Sequence, residues 1–165
     1  MKRIGNVTAF YSEYDQFSNF YRCELLINKL VFNCSEQAFM YTKARYFKDE
    51  RIAARILDTD MPWLQKKLGR QVKGFNKEIW DRVSPHFMTT IVGEKIKQHA
   101  KIRDALMKTE DTIIVEASEN DLIWGAGIGI DDPRISDPTQ WPGQNKLGDV
   151  LMHHRGKYQN LGARP

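Results

Sequence analysis

Short runs of apolar and β-branched residues predict a small amount of β-structure in this chain. Residues 7–11 and 112–117 have the composition and alternation of strands. Residues 24–27 and 30–32 lie on either side of Asn28 and Lys29, as the two strands of a hairpin lie on either side of their turn. We therefore expect a small sheet and a hairpin.

Helical spacing of apolar residues predicts that most of the remaining chain is helical. A first helix should begin at a capping box, Asn33-x-x-Glu36, and end near Phe47. Pro85 should kink or restart a later helix, because proline removes a backbone donor. Asn145 should cap the last helix. The other predicted helices cover residues 49–57, 62–70, 76–84, 87–107 and 145–157.

Residues 125–143 are rich in glycine, proline and aspartate and should form a long loop. Long loops are uncommon in compact domains unless they have a function, and this one contains Trp141. No repeat, low-complexity tract or linker interrupts the chain. The sequence therefore predicts one domain over residues 1–165, of the α+β class, helix-rich and with a small β-sheet.

Composition narrows the class of protein. The 165 residues are 41% hydrophobic and 28% charged, as in globular proteins, and no run of about 18 apolar residues predicts a membrane span. Residues 1–15 lack the apolar stretch of a signal peptide, so we expect a cytoplasmic location. There Cys23 and Cys34 should be small buried or half-buried thiols, with a redox pair as the alternative. The net charge of +4 favours anionic ligands.

Charged and apolar side chains share one face of the first predicted helix. Glu36, Met40, Lys43 and Phe47 follow the spacing i, i+4, i+7, i+11. Charges on an apolar face are costly unless they are paired or face a pocket, so this face could be the floor of a site. The alternative is that both charges lie at the edge of the face and reach water. A buried lysine could serve as a Schiff-base nucleophile.

A second candidate follows the strand of residues 112–117. Asp121 and Trp124 lie where this strand leads into the glycine-rich loop, and the tryptophan beside Gly125 could stack on a flat base. The alternative is an acidic turn with a core tryptophan. A metal site is conceivable, although the spacing of its ligands is not diagnostic; they would be Glu116, Asp121, Asp131 and Asp132.

A third candidate is the start of the last predicted helix. Lys146 would lie in the first turn, where a cation opposes the helix dipole unless an anion binds there. Asp149 could instead offset this charge. Elsewhere, Trp80 has the surroundings of a core residue. A helical run of cations should be a solvated face, with nucleic-acid contact as the alternative; it consists of Lys95, Lys97, Lys101, Arg103 and Lys108.

These groups, in this order, resemble the NADAR (YbiA-like) family over residues 10–155. Each motif alone is weak, but their order and spacing together identify the chain as a member. The matching positions are residues 17–20, Ser35-Glu36 with Gln37 and Lys43, residues 68–70, Trp80, residues 115–117, Asp121 with Trp124-Gly125, and residues 141–152.

The resemblance implies a helix-rich α+β fold and hydrolysis of N-glycosidic bonds without a metal or another cofactor. It implies two substrate classes: the ribosylamino-pyrimidine phosphates of riboflavin synthesis, and ADP-ribose attached to guanine in a nucleotide or in DNA. The catalytic positions carried over are Glu36, Lys43 and Asp121. The substrate-binding positions are Asn19, Trp80, Trp124, Gly125, Asn145 and Lys146.

Cleavage of a C1′–N bond builds positive charge on the ribose and negative charge on the base. We expect Glu36 to be the main carboxylate and Asp121 the second. Lys43 would be either the proton donor or an amine that captures C1′ as a Schiff base. One departure matters: Met40 and Tyr41 occupy a stretch where the family often has a glutamine. The alternative functions are a non-catalytic ADP-ribose or nucleotide-binding module and a general nucleic-acid-binding protein.

Overall fold

The computed structural model describes residues 1–162, in two compact units. The sheet unit comprises residues 1–18 and the chain from residue 99 onward, and the helical unit comprises residues 19–98. The strands and helices are β1 (Lys2–Ile4), β2 (Val7–Phe10), β3 (Leu25–Ile27), β4 (Leu30–Phe32), α1 (Ser35–Tyr46), α2 (Glu50–Leu57), α3 (Pro62–Gly69), α4 (Lys77–Gln98), α5 (Ala100–Met107), β5 (Ile113–Glu116) and α6 (Lys146–Gly162). This is the predicted helix-rich α+β fold.

The sheet unit is built on three strands in the order β1–β2–β5. The central strand β2 pairs antiparallel with β1 and parallel with β5, where Val7 lies opposite Ile113. All four residues of β2 are buried, as expected of a central strand. The sequence does not predict β1, because Lys2 and Arg3 on this edge strand are exposed and interrupt any apolar pattern.

The segment of residues 125–143 is a loop, as predicted, with two short 3-10 turns. Its side chains Ile128 and Ile135 join the core of the sheet unit. The indole N–H of Trp141 lies 3.2 Å from the carbonyl oxygens of both Arg134 and Ile135. Trp141 therefore holds the loop together from within.

In the helical unit, the predicted hairpin of β3 and β4 turns at Asn28 and Lys29. Both residues have positive φ, 50° and 67°, which is the backbone of a type I′ turn. Cys23 and Cys34 are free thiols, the first half-buried and the second buried. This confirms the expectation of small reduced residues.

Helix α1 begins one residue later than predicted. Its N-cap is Cys34, whose sulfur accepts a hydrogen bond from the N–H of Gln37 at 3.5 Å. The predicted cap, Asn33, instead donates its side-chain amide to the carbonyl oxygen of Asp60. The predicted capping box is therefore wrong: the reciprocal bond comes from Gln37, whose Oε1 accepts the N–H of Asn33 at 2.7 Å.

Two buried glutamines hold the start of α1 against its neighbours. The Nε2 group of Gln37 donates to the carbonyl oxygens of Ile56 and Leu57 at 2.9 and 3.1 Å. The last carbonyls of a helix lack partners within the helix, so Gln37 satisfies the end of α2. The Oε1 atom of Gln65 in α3 accepts a hydrogen bond from the thiol of Cys34 at 3.2 Å. The first turn of α1 is thus tied to both α2 and α3.

Helices α1 and α3 also touch at a glycine. A Cβ atom added to Gly69 would lie 2.0 Å from the sulfur of Met40, far inside van der Waals contact. Met40 itself is buried. Glycine at the end of α3 therefore allows this helix to approach α1 one turn before Lys43.

Helix α4 runs unbroken through Pro85, so of the two predicted effects of this proline, a kink or a restart, the restart is wrong. Trp80, Ser84 and Met88 are buried at every fourth position, and this continuous buried face stabilises the helix across the missing donor. The chain breaks instead at His99, where the backbone is extended. No helix within residues 1–162 has the length and apolar character needed to cross a lipid bilayer.

We expect Gln37→Ala to lower the free energy of unfolding by about 2–4 kcal/mol, because it removes at once the hydrogen bonds to the carbonyls of Ile56 and Leu57 and to the N–H of Asn33. Urea unfolding followed by circular dichroism would measure this. The exposed Gln71→Ala is the matched control and should change stability by less than about 0.5 kcal/mol. Equal effects of the two substitutions would contradict the assigned role of Gln37.

We expect Gly69→Ala to destabilise the fold by about 1–3 kcal/mol, because the new methyl group overlaps Met40. Gly156→Ala is the control within α6, where an added Cβ meets no atom within 4 Å. That substitution should instead stabilise the protein by about 0.5–1 kcal/mol, since alanine is the better helix former. Thermal unfolding of both variants tests the opposite signs.

Candidate active site

Glu36 lies at the buried start of α1. It is 4% exposed, and its backbone N–H donates to the carbonyl oxygen of Asn19 at 2.9 Å. The first turn of a helix favours negative charge, which offsets part of the cost of burying a carboxylate there. The structure thus brings together two predicted site residues, Glu36 and Asn19.

Asn19 has a side chain that can still accept a hydrogen bond. It is buried, and its Nδ2 group donates to the sulfur of Met88 at 3.6 Å. Its Oδ1 atom has no hydrogen-bond partner among residues 1–162. Buried polar atoms are normally satisfied, so this oxygen suits a donor from a ligand or from water.

Lys43 lies two turns after Glu36 on α1, about 10 Å further along the helix axis. It is half-buried, and its ammonium lies 4.0 Å from the ring centroid of Phe75. Burial lowers the pKa of Lys43, the negative charge of Glu36 opposes this, and the positive charge of Arg70 adds to it. Lys43 therefore loses its proton more readily than an ordinary surface lysine.

Trp80 is buried in an aromatic cluster, as its core-packing interpretation predicts. Its ring lies nearly parallel to that of Phe87, with centroids 5.9 Å apart, and it also contacts Phe39 at 5.2 Å and Phe47 at 6.1 Å. This arrangement suits a residue that forms part of the wall of a binding site. Direct stacking of a base on Trp80 stays a prediction.

The residues that depart from the family pattern, Met40 and Tyr41, pack against different neighbours. Met40 packs onto Gly69, and Tyr41 lies beside Phe32 with ring centroids 5.4 Å apart. Both side chains therefore have packing roles in the helical unit.

In the sheet unit, Asp121 organises the turn that contains Trp124. Its Oδ1 accepts the N–H groups of Ile123 and Trp124 at 3.1 and 2.8 Å. Gly125 follows in a tight space, where an added Cβ would lie 3.0 Å from the carbonyl oxygen of Glu116. Asp121 and Trp124 are thus held together as predicted neighbours, with the backbone of the half-buried Trp124 fixed by the carboxylate.

The same turn covers the start of α6. The N–H groups of Asn145, Lys146 and Leu147 donate to the carbonyl oxygens of Gly125, Ile123 and Trp124, respectively, at 3.0–3.1 Å. These amides are occupied and do not offer a phosphate the open helix terminus that the sequence predicts. Lys146 is half-buried, and contact of its side chain with a ligand stays a prediction.

Asn145 has a structural role that the sequence did not indicate. Its Oδ1 accepts the N–H of Glu116 at 3.1 Å, and its Nδ2 donates to the carbonyl oxygen of Ile114 at 2.9 Å. Both ends of the amide are therefore bonded to β5. Asn145 as a substrate contact is untested, but its amide is already engaged.

The other candidate groups have different partners. In the described chain, no three histidine, cysteine, aspartate or glutamate side chains converge to hold a metal ion. Asp131 pairs with Lys2, and Asp132 pairs with Arg134. Two of the four possible ligands are therefore engaged in surface ion pairs, and a third, Asp121, accepts backbone N–H groups.

The prediction of a solvated basic face is wrong at Lys95. This residue is 2% exposed in α4, with its ammonium 5.5 Å from the ring centroid of Tyr21. Burial lowers its pKa to about 8, which the nearby thiols of Cys23 and Cys34 partly oppose. The sequence indicated no role for Arg70 or Phe75, although both act on Lys43.

The chain is similar to known proteins along most of its length. The NADAR domain family model matches residues 9–159. Protein irg-1 of Caenorhabditis elegans is 40% identical over 124 residues, or 74% of this chain, and the chain spans 58% of that protein. The riboflavin biosynthesis protein VVA0006 of Vibrio vulnificus is 28% identical over 142 residues, which are 86% of this chain and 35% of that protein.

One relative matches along most of both chains. N-glycosidase YbiA of Escherichia coli is 30% identical over 152 residues, 90% of this chain and 86% of that protein. The NMR structure of E. coli YbiA matches with a TM-score of 0.78 and 27% identity, over 96% of this chain and 88% of that one. The match to YbiA supports N-glycosidase activity, and the chain belongs to the NADAR family.

Proposed function

We propose that the protein hydrolyses the C1′–N bond between a phosphorylated ribose and a nitrogen base. The observation that best supports this is the presence on α1 of a buried carboxylate, Glu36, and an amine, Lys43, whose pKa is lowered. A lowered pKa increases the neutral fraction of an amine, and only the neutral amine is nucleophilic. We propose Lys43 as the nucleophile; a proton donor is the alternative, and the pH dependence of turnover separates the two roles.

In the proposed first step, Nζ of Lys43 forms a bond to C1′ while the bond from C1′ to the base nitrogen breaks. The electron pair of that bond leaves with the base. The carboxylate of Glu36 takes the proton that Nζ loses and gives it to the ring oxygen as the ribose ring opens to a protonated Schiff base. Water then adds to C1′, and the proton that this water loses passes through Glu36 to the departed base. Collapse of the resulting carbinolamine releases the sugar and regenerates the amine. The net reaction consumes one water molecule.

The family resemblance assigns residues of the sheet unit to the same reaction. We propose Asp121 as the second carboxylate, which stabilises positive charge on the ribose, and Trp124 as the ring that stacks on the base. Their fixed turn supports these roles. For Asn145 we propose a positioning role, because its amide is bonded to β5.

Two substrate classes fit this chemistry. Ribosylamino-pyrimidine phosphates of riboflavin synthesis are supported by the relative named for riboflavin biosynthesis. ADP-ribose on guanine, in a nucleotide or in DNA, is implied by the family resemblance. Both contain a C1′–N bond and phosphate, and both would be met in the cytoplasm. Incubation with each, followed by mass spectrometry for the released base or ADP-ribose, separates them.

We expect Glu36→Gln and Lys43→Ala each to lower kcat by a factor of about 10²–10⁴, since each removes a group that moves protons or forms a bond. Glu78→Gln and Lys67→Ala, at exposed positions, are the matched controls and should retain full turnover. Full turnover in both site variants would contradict the assignment. Binding of ADP-ribose by the wild type without turnover would favour the binding-module alternative.

We expect the turnover rate to rise with pH through the pKa of Lys43, which lies below 10.5, the ordinary value for lysine. The nucleophile is the deprotonated amine, so its fraction increases as the pH rises. A proton donor would give the opposite limb, with the rate falling above the same pKa. Borohydride added during turnover should also trap a sugar adduct on Lys43, detected by peptide mass spectrometry and absent in Lys43→Ala.

A further inference from the structure

A strongly basic segment begins in α3. Residues 61–77 contain no aspartate or glutamate. The basic residues in this segment are Lys66, Lys67, Arg70, Lys73 and Lys77. Such a segment attracts anions, and its centre lies next to the closest approach of α3 to α1.

That approach fixes the position of Arg70. Its neighbour Gly69 lies directly on Met40, one turn before Lys43 on α1. The backbone N–H of Arg70 donates to the carbonyl oxygen of Lys66 at 3.3 Å and ends α3 there. The segment then continues to Phe75, whose ring lies against the ammonium of Lys43. Residues on both sides of Arg70 therefore contact α1 close to Lys43.

Arg70 differs from two other exposed arginines of the helical unit, because no carboxylate within residues 1–162 pairs with it. Arg45 on α1 pairs with Glu50, and Arg22 pairs with Asp60. Arg70 is exposed, and no carboxylate in the described chain pairs with it. Its charge is nevertheless close enough to Lys43 to lower the pKa of that amine. Two neighbouring cations without a shared carboxylate repel each other, and an anionic ligand would relieve the repulsion.

We propose that Arg70 binds the phosphate of the substrate beside Lys43 and so serves as a specificity-determining residue. This inference rests on the proposed N-glycosidase function. A guanidinium can make two parallel hydrogen bonds to phosphate oxygens, which fixes the orientation of the sugar as well as its charge. The phosphate would be either the 5′-monoester of a ribosylamine or the diphosphate of ADP-ribose.

This position has a consequence for catalysis. Without substrate, the charge of Arg70 favours the neutral, nucleophilic form of Lys43. With a phosphate bound, the charge of Arg70 is compensated and no longer opposes the positive charge of the Schiff base. Arg70 thus favours the neutral form of Lys43 before substrate binds and no longer opposes the Schiff-base cation once phosphate is bound.

The test compares Arg70→Gln and Arg70→Lys with Lys67→Gln, an exposed control in the same helix. The substrates are the ribosylamino-pyrimidine 5′-phosphate and its dephosphorylated form. We expect Arg70→Gln to raise KM for the phosphate at least about tenfold and to leave KM for the dephosphorylated form unchanged, with Arg70→Lys in between. The ascending limb of kcat/KM against pH, which reports the free enzyme, should move to higher pH in Arg70→Gln, because the pKa of Lys43 rises there. Lys67→Gln should change neither.

Equal KM changes for both substrates, or an unmoved pH limb, would overturn the role of Arg70. Calorimetric titration with ribose 5-phosphate and, separately, with ADP-ribose tests it without turnover and distinguishes the monoester from the diphosphate. Loss of this binding in Arg70→Gln, but not in Lys67→Gln, supports the site even if the wild type hydrolyses neither substrate, an outcome that would reject only the proposed function. Binding retained in Arg70→Gln, or absent from the wild type, rejects the site.

Discussion

The hydrogen bonds of Gln37 are the constraint on which the helical unit depends. All residues from Ser35 to Met40 are buried, so the start of α1 is surrounded on every side. A helix start that is buried in this way must satisfy polar groups away from water. Gln37 does so for the carbonyls of α2 and for the N–H of Asn33. The placement of Glu36, one residue earlier, follows from this anchor.

The two charged residues of α1 lie where the helix dipole favours their charges, whereas burial opposes the charged forms. Glu36 lies in the first turn and Lys43 in the last, which are the ends where the helix dipole stabilises an anion and a cation, respectively. The pKa of Lys43 is nevertheless lowered, since burial is the largest influence on it and Arg70 adds to the effect. The lowered pKa of Lys43 therefore arises from its burial and from the charge of Arg70 at the end of α3. The helix dipole alone would have made Lys43 an ordinary ammonium.

Local patterns were sufficient for elements whose determinants are close in sequence. The hairpin at Asn28 and Lys29, the strands β2 and β5 and the loop after Trp124 were all predicted by short segments of composition. Prediction failed where a residue distant in sequence determines the local structure. Cys34 caps α1 because the side chain of Asn33 is bonded to Asp60 and the thiol is held by Gln65 of α3. Helix α4 continues through Pro85 because its buried face is continuous.

The same distinction applies to the site. Helical spacing was enough to place Glu36 and Lys43 on one face of α1. It could not indicate that Arg70 and Phe75 act on Lys43, because the loop that contains them returns to α1 from α3. Nor could it show that Lys95 is buried, since a lysine-rich helical run normally faces water. The roles of Asn145 and the α6 terminus depended on hydrogen bonds to residues about 20–30 positions away.

The amide of Asn145 has an effect on the sheet that is separate from chemistry. β5 is an edge strand, and open edges are templates on which strands of other molecules can pair. Asn145 occupies the outward N–H of Glu116 and the outward carbonyl of Ile114, the two groups that an incoming strand would use first. One side chain thus takes the place of a fourth strand. It blocks pairing with another strand at these two positions of the β5 edge while the molecule is folded.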